Sequence, residues 1–119
     1  MPGYRLTHVA QDDIVAILAW SQEQFGAEAR NRYEALIATA IRDSASRTDD
    51  VGYTARPELG DGVFSWHLSQ SRTRAPGKTV HRPRHFLICR REGDVLVVGR
   101  VLHDAMELRR HVDHQQSWD

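Results

Sequence analysis

Nine residues in the second half of the chain could do chemistry if the fold gathered them: His67, Arg84, His85, Arg90, Arg100, His103, Arg109, Arg110 and His111. Cleaving a phosphodiester in RNA without a metal needs a base for the attacking hydroxyl, an acid for the leaving oxygen and cations around the phosphate. Histidine and arginine can fill each role, and such a reading selects His85, Arg90, His103 and Arg110. The same residue types also describe any basic surface that binds phosphates or acidic peptide, and the sequence favours that use. No metal or cofactor is expected. His111 and His114 lie three apart without a cysteine or carboxylate completing a closed ligand pattern. The chain has neither a glycine-rich phosphate loop nor a Gly-x-Ser-x-Gly elbow. Cys89 sits in an apolar run and reads as a core residue, not a nucleophile.

Charge sharpens the choice. The chain is formally neutral, but residues 1–61 hold six arginines against ten acids, and residues 92–119 three arginines against six acids. Between them, residues 62–91 carry Arg72, Arg74, Lys78, Arg82, Arg84, Arg90 and Arg91 with no acid at all. A block of that kind draws in polyanions or acidic partner segments even though the whole molecule is neutral.

The elements that must position these residues follow from periodicity. At 119 residues with 40% apolar content, one domain, 1–119, with a single modest core is expected. A brief strand at 4–7 leads to Thr7, which can cap a helix starting near His8. Val9, Ala10, Ile14, Ile17, Leu18 and Ser21 form its inner stripe, and Phe25-Gly26 stops it. A second helix spans about 27–47 on Ala29, Tyr33, Leu36, Ile37, Ala40 and Ile41, completing a hairpin. Trp20 lies off the stripe, as a rim-packing residue or a partner contact. Residues 48–62 read as loop. Residues 63–70 alternate as a strand, with Phe64, Trp66 and Leu68 on one face. Residues 71–80, with Ala75-Pro76-Gly77, read as an exposed hairpin tip. Strands at 84–91 and 95–102 flank the turn Glu92-Gly93-Asp94, and a tail at 113–119 reads as frayed.

The fold class is therefore α+β, ordered β-α-α-β-β-β. A helical hairpin packs on one face of a small curved antiparallel sheet, whose other face, carrying the basic block, stays open. At the exit of the last strand, His103 and His111 can lock the chain through nearby carbonyls, Asp104 can cap the following turn, and Met106 can tuck beneath the sheet. The single cysteine, the absence of a signal-like N-terminus and the lack of any membrane-length apolar run point to the cytoplasm.

The element order, the break at Phe25-Gly26, the Tyr33–Leu36 spacing and above all GRVLHDAMELRRHV at 99–112 resemble the ParE branch of the RelE/ParE toxins, across nearly the whole chain from Tyr4 to Val112. The resemblance implies a toxin of a bacterial toxin–antitoxin module, often labelled a plasmid stabilisation protein. It would be held inactive in a hetero-oligomer by a cognate ParD-like antitoxin, which would carry the DNA-binding half, so this chain alone would not read DNA sequence. ParE-like members are associated with poisoning DNA gyrase, and RelE-like members with cutting messenger RNA on the ribosome. Two departures stand out: Cys89 takes the place of a strand tyrosine common in the family, and the stretch from Trp66 to Arg84 is longer and more basic. A RelE-type nuclease typically has a basic and aromatic set near its C-terminus, where this chain offers only Trp118 beside its histidines.

The expectation is thus a gyrase inhibitor acting by binding. Ile17, Trp20, Tyr33 and Ile37 with Arg82, Arg84 and Arg90 would take the antitoxin, and Arg109 and Arg110 would meet the target. The alternatives are a metal-independent, ribosome-dependent endoribonuclease and a degenerate, non-toxic module that only binds its antitoxin.

Overall fold

Thr7 begins the helical layer as its sequence position dictates. In a computed structural model that describes residues 3–46, 52–106, 108–110, 112 and 118–119, with only the backbone of Arg109, its hydroxyl accepts from the Ala10 N–H at 3.1 Å and donates to the Gly99 carbonyl at 2.8 Å. One buried side chain thereby caps helix α1 (His8–Phe25) and ties its start to the sheet. Gly26, at φ 93°, supplies the left-handed turn, and α2 (Ala27–Ser46) follows at once, so the two helices form the expected hairpin.

The sheet has five strands in the order β1-β5-β4-β3-β2: β1 (Gly3–Leu6), β2 (Tyr53–Ala55), β3 (Phe64–His67), β4 (His85–Glu92) and β5 (Val95–His103). It is mixed, because β1 runs parallel to β5 while the other pairs are antiparallel. The antiparallel sheet expected from the sequence is corrected at that edge. A parallel neighbour needs a long crossover, and here everything between β1 and β5 supplies it. β2 lies in a stretch read as loop; three residues of moderate polarity gave it no periodic signal. The strand expected at 63–70 stops at His67, where the His67 ring accepts from the Ser69 N–H and starts a 3-10 turn, Leu68–Gln70.

Two cores sandwich the sheet. On the helix side, Ala10, Leu18, Leu36, Ile37, Ala40 and Ile41 meet Trp66, Leu68, Leu87, Cys89, Leu96 and Val98. On the other side, Leu59, Val63, Phe86, Ile88, Leu102 and Val112 form a smaller cluster with Leu108 and Trp118 against it. The face expected to stay open is therefore covered, which is why Phe86–Cys89 in β4 and Val95–Val98 in β5 are continuous apolar runs. The end of the tail is docked, not frayed. The Trp118 carbonyl accepts from Arg5, the His8 N–H donates to the Asp119 carbonyl, and the Arg90 guanidinium stacks 4.6 Å from the Trp118 ring. The remainder of that tail, 113–117, and His111 lie outside the described residues. Among the described residues no helix is long and apolar enough to cross a membrane.

Candidate functional site

A β-bulge decides what the sheet presents at its helix-side edge. Ile88 pairs with Arg100 but Cys89 pairs with Val98, so Gly99 is an additional residue on β5. Leu96 and Val98 face the helices before the bulge; after it, Val101 does, and the next residue on that face is His103. An uninterrupted period of two would have sent His103 to the opposite face. The bulge instead stands it edge-on against its cross-strand partner His85, ring centroids 5.3 Å apart at 83°.

His85 is held from the helix layer. The Tyr33 hydroxyl, on α2, accepts from the Arg84 N–H at 3.2 Å and lies 2.6 Å from His85 Nδ1. The hydroxyl has one proton, and that network directs it onto Nδ1, leaving His85 as the Nε2–H tautomer. Burial, reinforced by the neighbouring His103, lowers the His85 pKa to about 4, and burial raises that of the Tyr33 phenol to about 12. Both groups are neutral near pH 7. His103 Nδ1 accepts from the Ala105 N–H at 3.1 Å, which makes it an Nε2–H tautomer when neutral as well.

Behind the pair stands a charged strut. Asp104 receives the Arg84 guanidinium at 3.0 Å and His67 Nε2 at 2.9 Å, and the hydrogen bond from Arg84 holds its carboxyl below the usual range. Its own N–H donates to the Arg84 carbonyl at 2.8 Å. Asp104 therefore joins the ends of β3, β4 and β5. Capping of the next turn falls to His103, and Met106, 43% exposed, is not tucked beneath the sheet.

His85 and His103 floor a groove of about 360 Å³. Its helix-side wall is Ile17, Trp20, Phe25, Ala29 and Tyr33, and its other wall is the extended segment carrying Val80, Arg82 and Arg84. Trp20 and Phe25 stand 55% and 67% exposed, packed edge to face at 5.7 Å. Lone exposed apolar residues are ordinary on a folded surface; a paired tryptophan and phenylalanine at the mouth of an apolar groove are not. Around the groove Arg32 and Arg82 have no carboxylate partner among the described residues. Arg5, Arg30, Arg74, Arg84, Arg90 and Arg100 are each paired with one. A second, more polar depression of about 260 Å³, between β3 and the residues after β5, includes Arg56, Ser65, His67, Phe86 and Asp104.

Of the residues expected to take a partner, Ile17, Trp20, Tyr33, Arg82 and Arg84 line this groove. Ile37 does not: it is 3% exposed, deep in the helix-side core, because the stripe that packs α2 against the sheet runs directly through it. Arg90 does not either. Its strand phase turns it to the opposite face, against Trp118 and Glu92. The expected nuclease set is split in the same way. His85 and His103 meet, Arg90 is across the sheet, and Arg110 belongs to the 3-10 turn Leu108–Arg110, which packs beside Pro57–Leu59. The Arg109 side chain lies outside the described residues. Tyr33 is expected from the sequence as a partner contact, but its hydroxyl's hold on His85 and Arg84 is not; Phe25 reads only as a helix-end position and proves to line the groove. His81 and His85 stand four apart, but Pro83 lies between them in extended chain, so they share no helical face. No group of ligands suited to a metal ion occurs among the described residues. Cys89 is fully buried, with its thiol pKa pushed up by that burial.

No protein-family model matches the chain, and no curated protein matches it in sequence.

Proposed function

We propose that this chain is the toxin of a two-protein toxin–antitoxin module, of the RelE/ParE fold and the ParE branch, working in the cytoplasm. It is neutralised by a small antitoxin and stops growth by binding DNA gyrase, not by breaking bonds itself. The observation that carries the reading is the groove: exposed Trp20 and Phe25 over an apolar wall, with Arg32 and Arg82 left without a carboxylate partner among the described residues. That surface suits an amphipathic segment with apolar anchors and acidic flanks, the helix-in-groove mode of recognition. The resemblance at 99–112 supplies the family. In this reading Ile17, Trp20, Tyr33, Arg82 and Arg84 meet the antitoxin, and Arg109 and Arg110 meet the target.

The test is expression without the antitoxin, together with a supercoiling assay on purified gyrase. Growth should stop, double-strand breaks should accumulate, and supercoiling should be blocked. Unchanged supercoiling at saturating protein would sink the gyrase reading. A second reading is favoured by one observation, the meeting of His85 and His103 beside Tyr33 and Arg84: a ribosome-dependent endoribonuclease. Primer extension on messenger RNA after induction would then show cuts inside reading frames. Arrest without such cuts excludes it.

A further inference from the structure

The floor of the groove holds two hydrogen-bond donors with nothing to donate to. His85 Nδ1 is occupied by the Tyr33 hydroxyl and His103 Nδ1 by the Ala105 N–H, so each ring presents its N–H at Nε2. Both residues line the groove, their rings are in edge contact, and among the described residues neither Nε2 has a hydrogen-bond partner. His67, two strands away, shows the contrast, because its Nε2 is held by Asp104. Half-buried donors left open in a mostly apolar cleft cost stability unless something accepts from them.

We propose that the Nε2–H edges of His85 and His103 form an oxyanion subsite at the floor of the groove, which receives one carboxylate of the peptide that fills it. The proposal rests on the reading of the groove as a partner site. The charge around the groove selects an anion: Arg32 and Arg82 lack carboxylates, whereas Arg84 is neutralised by Asp104. The lining selects peptide over nucleic acid. A strand of phosphates needs a continuous track of cations and open aromatic faces for bases. Here only those two groove arginines lack a carboxylate among the described residues, which makes no continuous track of cations. A single carboxylate beside apolar anchors uses all of these features, and hydrogen bonds to a charged acceptor are the strong kind.

Histidine-labelled full-length protein, titrated with acetate and followed through the ring nitrogens, tests this directly. The Nε2 signals of His85 and His103 should move together and saturate, while that of His67 stays in place. His103→Leu should abolish the movement at His85, and His103→Gln, which keeps an N–H within reach, should retain it. Against the native antitoxin, His103→Leu should weaken binding about tenfold and His103→Gln by much less, as expected for one charged hydrogen bond. No movement with acetate overturns the subsite. Movement by a short oligouridylate at lower concentration than acetate overturns the carboxylate assignment. If growth stops and gyrase is blocked while acetate does nothing, the subsite falls and the toxin reading stands. If acetate moves both rings but the expressed chain is harmless, the toxin reading falls and the subsite stands.

Discussion

His85 illustrates how one side chain can be fixed as a neutral donor. Unfolded, it would take a second proton near the ordinary value of about 6.5; folded, burial delays this to about 4. Between those values the unfolded chain binds the additional proton, so stability should fall as pH drops from about 6.5 toward about 4. Thermal unfolding across that window should show the melting temperature declining toward acid, and His85→Asn should flatten part of the decline. Asp104 acts lower still. Its carboxyl is depressed chiefly by Arg84, so its contribution is present above the ordinary carboxylate pKa and is lost only as pH falls through its lowered folded value. Ile37 and Arg90 sit away from the groove for a reason of phase: the stripe expected to pack α2 already contains Ile37. An isoleucine in a helix stripe and an arginine in a strand are assigned by phase, and phase puts one in the core and the other across the sheet.

Among the elements, the helical hairpin and the three antiparallel strands were legible in the sequence, because their apolar periods are long and their stops carry explicit signals: Thr7 as cap, Gly26 and Gly93 at positive φ. β2 was not, since three residues cannot show a period, and what holds them is a long-range pairing of Tyr53–Ala55 with β3. Its approach depends on Gly52. At φ +99° this residue lies against the buried Trp66 indole, and a Cβ there would stand 2.7 Å from two ring carbons. Trp66 cannot yield easily, because its Nε1 donates to Ser71, whose hydroxyl donates in turn to Asp43 on α2. Gly52→Ala should therefore cost about 2–4 kcal/mol, combining backbone strain with overpacking. Chemical denaturation would check this, and an unchanged midpoint would show that the indole moves freely.

Over the whole molecule, a segregated charge pattern coexists with a sheet covered on both faces. The basic block does not lie on an open sheet face: Arg72, Arg74, Lys78, Arg82 and Arg84 are exposed on the segment before β4. Arg90 and Arg91 are drawn onto aromatic rings on opposite faces of the sheet, Trp118 and Phe64, while Arg82 is left at the groove. The second core is small and leans on the docked end of the chain, which the sequence hid because Trp118 stands alone in a patternless tail. Trp118→Ala should lower the melting temperature by about 4 °C, the shift that a loss of roughly 1 kcal/mol gives in a domain of this size. It should also increase binding of a hydrophobic dye as cover over Phe86 and Ile88 is lost. An unaltered melting curve would show that the stack on Arg90 contributes nothing to stability.

The inserted residue at Gly99 gives β5 a division of labour. Upstream of it, Leu96 and Val98 answer only to packing against the helices; downstream, the register that places His103 is set afresh. Substitutions could accumulate in one half without re-aiming the other, so the histidine-bearing end of the strand is free to diversify on a fixed foundation. Removing that single residue would do the reverse, exchanging inside for outside at every position after it. The chain would lose the helix-side placement of His103 beside His85.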